Sequence, residues 1–245
     1  ALIIVAASEP VLVFTKRVEI AGVGDVARYS AQLPVHAIIL VDVSPSMHRE
    51  RRLQQAYAAV SAIVSALNTS DIVTLAVFGG EVEHVYTGNI TGFKVPDFTS
   101  YVINYTSITA ALGWALSQQR VLGLPAAVFV VTDGVHNFGG DPVEATRSLN
   151  ASGIPVVYVK AGEDPRAVGF FTALKRLGFT VIEAEYLDET SIKHLLLKAV
   201  LEAKYEAVIS SGRSYVEVEE RVSVPTPALA LASLALLVAS RIEGV

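Results

Sequence analysis

The stretch His36-Ala37-Ile38-Ile39-Leu40-Val41-Asp42-Val43-Ser44-Pro45-Ser46 joins an apolar run to a carboxylate and two hydroxyl groups. A strand that is covered on both faces reads as continuous apolar sequence, so residues 36–41 predict a buried strand of a parallel sheet. Open α/β sheets bind ligands just beyond the carboxyl ends of their strands. Asp42, Ser44 and Ser46 therefore predict a site for a hard cation such as Mg²⁺, Mn²⁺ or Ca²⁺.

Two later stretches place further oxygen donors at the ends of predicted elements. Thr106 precedes apolar residues at three- and four-residue spacing, which predict a helix. Asp133 follows the apolar run Ala126 to Val131, which predicts a second buried strand. The complete donor set contains two carboxylates, three hydroxyls and no soft donor: Asp42, Ser44, Ser46, Thr106 and Asp133.

This order of motifs resembles the von Willebrand factor A domain over roughly Val35 to Val208. The metal-ion-dependent adhesion site of that family has the pattern D-x-S-x-S, then a Thr, then an Asp, and all five positions match. The resemblance implies that the hydroxyls ligate the ion, that the carboxylates act directly or through water, and that one coordination position is open for an acidic group of a partner. Pro45 and Asn104-Tyr105 depart from the family, which commonly has a small residue and glycines there.

A plainer interpretation of the same residues remains open. Asp and Ser at a strand-to-helix junction often only cap the helix by accepting hydrogen bonds from backbone N–H groups. Some domains of this family also carry degenerate sites that bind no metal.

The alternation of apolar runs and amphipathic patterns predicts an α/β fold, with a doubly wound, mostly parallel sheet and helices on both faces. This is the Rossmann-like fold that the resemblance implies. We predict three regions: an apolar segment and β-hairpin over 1–34, the von Willebrand factor A domain over 35–208, and a flanking strand with an apolar C-terminal helix over 209–245.

The flanks of this domain contain β-prone runs. Val11 to Ile20 and Val26 to Leu33 are joined by Ala21-Gly22-Val23-Gly24, which predicts a hairpin. Ser214 to Val224 alternates polar and apolar residues, which predicts a half-buried strand. We expect the flanks to pair into a small antiparallel sheet. Gly22 to Ala27 also matches G-x-G-x-x-A, but a dinucleotide site needs a helix at this point and the hairpin is favoured.

The C-terminal segment is uniformly apolar from Ala228 to Ala239, apart from Ser233. It is short for a membrane-spanning helix, which needs about 20 residues, but too apolar for a helix with one buried face. We predict that residues 225–241 associate with a membrane or with other subunits. Arg241 favours a cytoplasmic C-terminus, which would place the domain outside the cell.

Composition excludes several function classes. The chain has 245 residues, 52% hydrophobic residues and a net charge of −5. Because its basic residues cluster only at Arg49, Arg51 and Arg52, nucleic-acid binding is not expected. The absence of cysteine excludes disulfides, zinc–thiolate sites and thiol nucleophiles. No G-x-S-x-G or H-E-x-x-H motif occurs, so we expect no enzymatic activity.

Asparagine usage points to the cell exterior. Four of the five asparagines lie in N-x-[ST] triplets, at Asn68, Asn89, Asn104 and Asn150. Such triplets are acceptors for N-glycosylation, which is confined to extracellular or lumenal proteins. Asn104 is the least expected to carry a glycan, because a sugar two residues from Thr106 would crowd the metal.

Together these features predict a glycoprotein that binds proteins at the extracellular face of the cell membrane. A divalent cation, Mg²⁺ first and Mn²⁺ or Ca²⁺ next, would recognise an Asp or Glu of the partner. The arrangement of apolar segment, domain and apolar segment is similar to that of aerotolerance-type membrane proteins of the family. The alternative is a structural subunit of a surface or membrane assembly, an oligomer in which the metal only stabilises a loop.

Overall fold

The computed structural model describes residues 11–49, 51–184 and 189–223. The apolar segments at the two ends of the chain, including residues 225–241, lie outside this described part. The described residues divide into two compact units, one made of residues 11–19 and 215–223 and the other of residues within 20–214.

The larger unit contains a six-stranded sheet and six α-helices in its described residues. Its strands are β2 (His36–Asp42), β3 (Ile72–Phe78), β4 (Val82–Asn89), β5 (Ala126–Thr132), β6 (Val156–Lys160) and β7 (Thr180–Glu183). Its helices are α1 (Val23–Arg28), α2 (Arg52–Ser65), α3 (Ile108–Leu122), α4 (Pro142–Ala151), α5 (Val168–Arg176) and α6 (Glu189–Ser210). The strand order is β4-β3-β2-β5-β6-β7, in which only the edge strand β4 is antiparallel to its neighbour. The predicted doubly wound α/β fold is thus confirmed.

The two central strands are apolar throughout because helices cover both faces of the sheet. Every residue of β2 and β5 is buried. Ile39 and Val41 of β2 belong to a core cluster with α2 and α6, whereas Ile38 and Leu40 belong to a second cluster with α3, α4 and α5. Successive side chains of a strand point to opposite faces, so this division is the expected one.

The carboxyl ends of these strands lie side by side. Strands β2 and β5 pair in parallel up to Val41 and Val131, so Asp42 and Thr132 follow at the same edge of the sheet. Asp133 is the next residue along the chain. The register alone therefore brings the two predicted metal-binding carboxylates to adjacent loops.

The predicted hairpin between residues 11 and 33 is wrong. Residues 23–28 form the helix α1, and Ser30–Gln32 form a 3₁₀ turn. Asp25 accepts hydrogen bonds from the backbone N–H groups of Ala21 (3.0 Å) and Gly22 (3.2 Å), which satisfies donors at the start of the helix. Val26 is fully buried. Capping and burial therefore outweigh the β propensity of this run.

The smaller unit is a two-stranded antiparallel sheet. Strand β1 (Val11–Glu19) pairs with β8 (Tyr215–Ser223), in a register from Val11 opposite Ser223 to Glu19 opposite Tyr215. This confirms the predicted antiparallel sheet of flanking strands, although its N-terminal contribution is one strand and not two. Within the described residues, no helix is both long enough and apolar enough to cross a membrane.

Candidate metal centre

Asp42, the last residue of β2, is fully buried, and each of its carboxylate oxygens accepts one hydrogen bond. Its Oδ1 accepts the backbone N–H of Ser44 (2.9 Å), and its Oδ2 accepts the hydroxyl of Thr132 (2.7 Å). Burial and the charge of Asp133 raise the pKa of Asp42 to about 7, against hydrogen bonds that favour ionisation. The site therefore holds two carboxylates close enough to repel each other.

Ser44 and Ser46 lie in the turn after β2. Their Oγ atoms are 3.1 Å apart, and the backbone N–H of Met47 donates to the carbonyl of Ser44 (2.9 Å). Pro45 is exposed, whereas the Met47 side chain is buried in the core and fixes the turn. The proline therefore causes no loss of packing where the family commonly has a small residue.

Asp133 follows β5 and is also fully buried. Its Oδ1 accepts the backbone N–H of Val135 (3.0 Å), and its Oδ2 accepts Nη1 of Arg52 (2.6 Å). One of the two carboxylates is therefore already paired with a cation of the protein itself.

Arg52 also belongs to this site, although no motif of the sequence indicates it. Its guanidinium also donates to the carbonyls of Ser46 (3.2 Å) and Glu163 (2.7 Å), and its side chain is only 6% exposed. The arginine thus joins the loops after β2, β5 and β6. The helical spacing of α2 does indicate that Arg52 is buried, because Arg52 lies on the same face of the helix as the buried residues Ala56 and Ala59.

The carboxyl group of Asp164, 4.0 Å from Arg52, extends this charge network. Arg166 donates two hydrogen bonds to it (3.0 and 2.8 Å). These bonds, with a smaller contribution from the charge of Arg52, lower the pKa of Asp164 to about 2. The edge of the site formed by the loop after β6 is therefore charged.

Thr106 is buried in the loop before α3 and is held by the loop after β5. Its backbone N–H donates to Oδ1 of Asn137 (2.9 Å), and its carbonyl accepts the N–H groups of Asn137 (3.1 Å) and Phe138 (3.2 Å). The N–H of Ile103 donates to the carbonyl of Val43 (3.4 Å), so the loop also meets the end of β2. Among the described residues, none hydrogen-bonds to the Thr106 hydroxyl.

Tyr105 adopts the backbone conformation that glycine adopts freely. Its φ of +63° makes it the only non-glycine residue with positive φ in the described part of the chain. The loop approaches Gly79 and Gly80 closely: Gly80 N–H donates to the carbonyl of Asn104 (2.8 Å), and Ser107 N–H donates to that of Gly79 (2.7 Å). A Cβ on Gly79 would lie 2.5 Å from the carbonyl oxygen of Ile103. The loop therefore keeps a glycine-like shape in spite of the tyrosine.

The donor set fits a hard divalent cation. Among the described residues, no group of three or more His, Asp or Glu side chains could hold a metal ion by itself, so a cation here needs hydroxyl ligands as well. The hydroxyls of Ser44 and Ser46 bond to each other, and a cation would accept their lone pairs. It would also relieve the repulsion between Asp42 and Asp133. Asp42, Ser44, Ser46, Thr106 and Asp133 would hold it.

The four glycosylation candidates differ in exposure. Asn89, Asn104 and Asn150 are exposed, at the end of β4, in the Thr106 loop and in the last turn of α4. Asn68 is half-buried, and its Oδ1 accepts hydrogen bonds from the hydroxyl of Thr69 (3.2 Å) and the N–H of Ser70 (3.3 Å).

Residues 37–136, which include all five predicted ligands, match the family model of the von Willebrand factor type A domain. The matched segment runs from β2 to the loop after β5 and carries the loops around the candidate site. No protein of curated function matches the chain.

Solved structures of the same fold include several bacterial and eukaryotic proteins. An aerotolerance-related membrane protein from Bacteroides fragilis is 21% identical, with 68% of this chain and 98% of that chain covered and a TM-score of 0.51. BatB from Bacteroides thetaiotaomicron is 18% identical, with 74% and 100% covered and a TM-score of 0.50. The manganese-loaded TRAP protein of Plasmodium vivax is 15% identical, with 87% and 82% covered and a TM-score of 0.55.

Proposed function

We propose that the chain is a non-enzymatic protein-binding module that uses a divalent cation to recognise an acidic residue of a partner. The observation that carries this proposal is the pair of buried carboxylates, Asp42 and Asp133, beside hydroxyls at the carboxyl edge of the sheet. Mg²⁺ is the first candidate, and Mn²⁺ and Ca²⁺ are the next.

The residues of the candidate metal centre have different roles. Asp42 supplies charge and orients Ser44 through the N–H of that serine, while the hydroxyls of Ser44, Ser46 and Thr106 are neutral donors. Arg52 holds Asp133 and neutralises one of the two negative charges. A cation bound here supplies an electrophilic site that accepts an oxygen of the partner's carboxylate. Because the protein provides little net negative charge, the cation would retain affinity for that carboxylate.

We further propose that the module acts at the exterior face of the cell membrane as a glycoprotein. The exposure of Asn89 and Asn150 supports access of the glycosylation machinery to these sites. The membrane protein of Bacteroides fragilis with the same fold is consistent with residues 225–241 serving as a membrane contact. Mass spectrometry of the chain purified from its native host would test glycosylation, and unmodified peptides for Asn68, Asn89 and Asn150 would contradict it.

The function is tested by calorimetric titration of Mg²⁺, Mn²⁺ and Ca²⁺ into the full chain. We expect saturable binding that is lost in Asp42→Asn, a change that keeps the side-chain shape. The matched control is Asp141→Asn, which alters an exposed carboxylate that caps α4 and should leave metal binding unchanged. Equal binding by both variants, or no binding by the unmodified chain, would contradict the proposal.

A structural role is the second candidate. Val13 and Phe14 are exposed on opposite faces of the two-stranded sheet of the smaller unit, and exposed apolar side chains on so small a sheet are suited to assembly with further copies or subunits. In that case removal of residues 225–245, followed by sedimentation analysis, should change the assembly state. The Asp42→Asn substitution should leave that state as it is.

A further inference from the structure

Two aromatic side chains beside the candidate metal centre are exposed to solvent. Tyr105 is 64% exposed and Phe138 is 56% exposed. Their ring centroids are 5.9 Å apart with an interplanar angle of 35°, so the rings contact each other. We call Tyr105 and Phe138 the aromatic pair.

The aromatic pair is fixed to the loop that carries Thr106. Tyr105 immediately precedes Thr106, and the N–H of Phe138 donates to the Thr106 carbonyl (3.2 Å). Asn137 makes two further hydrogen bonds with the backbone of Thr106. These bonds hold the backbone of Phe138 against that of Thr106, so both rings project from backbone that is fixed beside the candidate site.

The conformation of Tyr105 is unfavourable for any residue with a Cβ. Glycine would adopt it without strain, and the exposed ring gains little from packing in the free protein. The tyrosine therefore gives neither a backbone advantage nor a core contact. What it adds at this position is an exposed apolar surface.

The aromatic side of the site is also uncharged. Residues 102–105 and 137–140, which form this side, contain no Asp, Glu, Lys or Arg. The charged side chains of the site belong instead to α2 and to the loop after β6, at Arg52, Asp164 and Arg166. A partner that contacts the two rings would therefore meet no charged side chain of residues 102–105 or 137–140.

We propose that the aromatic pair is the second contact for the metal-bound partner, and that the partner offers an acidic residue accompanied by an aliphatic or aromatic side chain. This inference rests on the proposed function. A polar side chain placed over the rings would lose water without gaining a hydrogen bond, whereas an apolar one gains contact area. Aromatic residues are enriched in the cores of protein interfaces for the same reason.

The test uses a phage-displayed library of random linear peptides, selected on the full chain in Mg²⁺ and eluted with a chelator. The variant is the double substitution Tyr105→Gly, Phe138→Ser. The control is Phe14→Ser, which removes a similarly exposed ring from the two-stranded sheet. We expect peptides eluted from the unmodified chain to carry Asp or Glu with an apolar residue within a few positions. The apolar preference should disappear on the double variant and persist on the control.

Synthetic versions of the selected peptides should bind the double variant about tenfold more weakly or worse. Its Mg²⁺ affinity by calorimetry and its circular dichroism spectrum should be unchanged. Acidic peptides without apolar preference, or equal affinity for the double variant, would overturn this inference while the proposed function stands. Failure to obtain chelator-eluted acidic peptides would overturn both. A change in the sedimentation of the free double variant would instead assign the aromatic pair to self-association.

Discussion

Replacement of Arg52 by methionine should destabilise the metal-free protein by about 3–5 kcal/mol, the usual result of removing one partner of a buried ion pair. The side chains of Arg52 and Asp133 are 6% and 0% exposed, and their hydrogen bond is 2.6 Å long. Methionine fills much of the aliphatic volume of arginine, so the loss would be largely electrostatic. Asp133 would be left unpaired beside Asp42, and the loops after β2, β5 and β6 would lose a shared donor.

A divalent cation should reverse much of this loss. Without Arg52, the cation becomes the main counter-charge for both carboxylates, so the variant should bind Mg²⁺ more tightly than the unmodified chain. Mg²⁺ at 100 times its dissociation constant stabilises a folded protein by about 2.7 kcal/mol. The difference in free energy of unfolding between variant and unmodified chain should therefore be smaller in Mg²⁺ than in chelator.

The assay is urea unfolding followed by circular dichroism, in chelator and in excess Mg²⁺. The matched control is Arg51→Met, which changes the neighbouring exposed arginine and should shift stability by less than about 0.5 kcal/mol. Adding Asp133→Asn to Arg52→Met should recover part of the stability, because it removes the unpaired charge. A loss below about 1 kcal/mol for Arg52→Met, or a double variant less stable than the single one, would refute the reasoning.

Three further predictions concern pH, the hydroxyl donors and the opposite edge of the sheet. Because the pKa of Asp42 is raised in the folded protein, ionisation of this group opposes folding, and the free energy of unfolding in chelator should fall by up to about 1.4 kcal/mol per pH unit as pH rises from 4 to about 7. Urea unfolding should show a smaller slope for Asp42→Asn. An unchanged slope in that variant would contradict the prediction. Thr106→Val should weaken Mg²⁺ binding, measured by calorimetry, about tenfold. The loss of stability should be small, because the Thr106 hydroxyl has no hydrogen-bond partner among the described residues. An unchanged Mg²⁺ affinity would mean that Thr106 is not a ligand. Lys204→Met breaks a buried ion pair with Asp71 (2.6 Å) and should lower the free energy of unfolding by about 3–5 kcal/mol. The Mg²⁺ affinity should stay the same, and a change in it would mean that the two edges of the sheet are coupled.

The arrangement of the larger unit follows closely from its apolar runs. Strands β2 and β5 are recognisable because both of their faces are buried, and parallel pairing then brings Asp42 and Asp133 to one edge. The order of D-x-S-x-S, Thr and Asp predicts the remaining donors. Whether they bind a cation is a matter of affinity, which the pattern of residues does not report.

Arg52 could not be recognised from its neighbourhood alone. In the sequence it is one of three arginines between residues 49 and 52, and each of them is compatible with a solvated surface. Only the phase of α2, set by the packing of Ala56 and Ala59 in the core, turns Arg52 inward. The buried carboxylate that it meets lies 81 residues further along the chain.

The error at residues 26–33 has a similar origin. The β-prone surroundings of Val26 favour a strand, whereas Val26 is buried in a helix that begins at Val23 and whose N-terminal backbone N–H groups donate to Asp25. A six-residue helix has little periodicity to detect. Capping of the helix N-terminus and burial of Val26 favour a helix here, and β propensity takes account of neither.

The antiparallel pairing of β1 and β8 determines how the molecule transmits mechanical force. Both strands enter the larger unit from one end of their ladder, at Glu19 and Tyr215, and both leave at the other end, at Val11 and Ser223. A pull on the larger unit against anchors beyond residues 11 and 223 would load both strands in the same direction and divide the tension between them. A pull that separates residues 11 and 223 would instead open the ladder one pair at a time, at low force. When the larger unit is pulled against both anchors, the two-stranded sheet would therefore transmit the load without opening. When residues 11 and 223 are pulled apart, the same sheet would open before the fold around the candidate metal centre does.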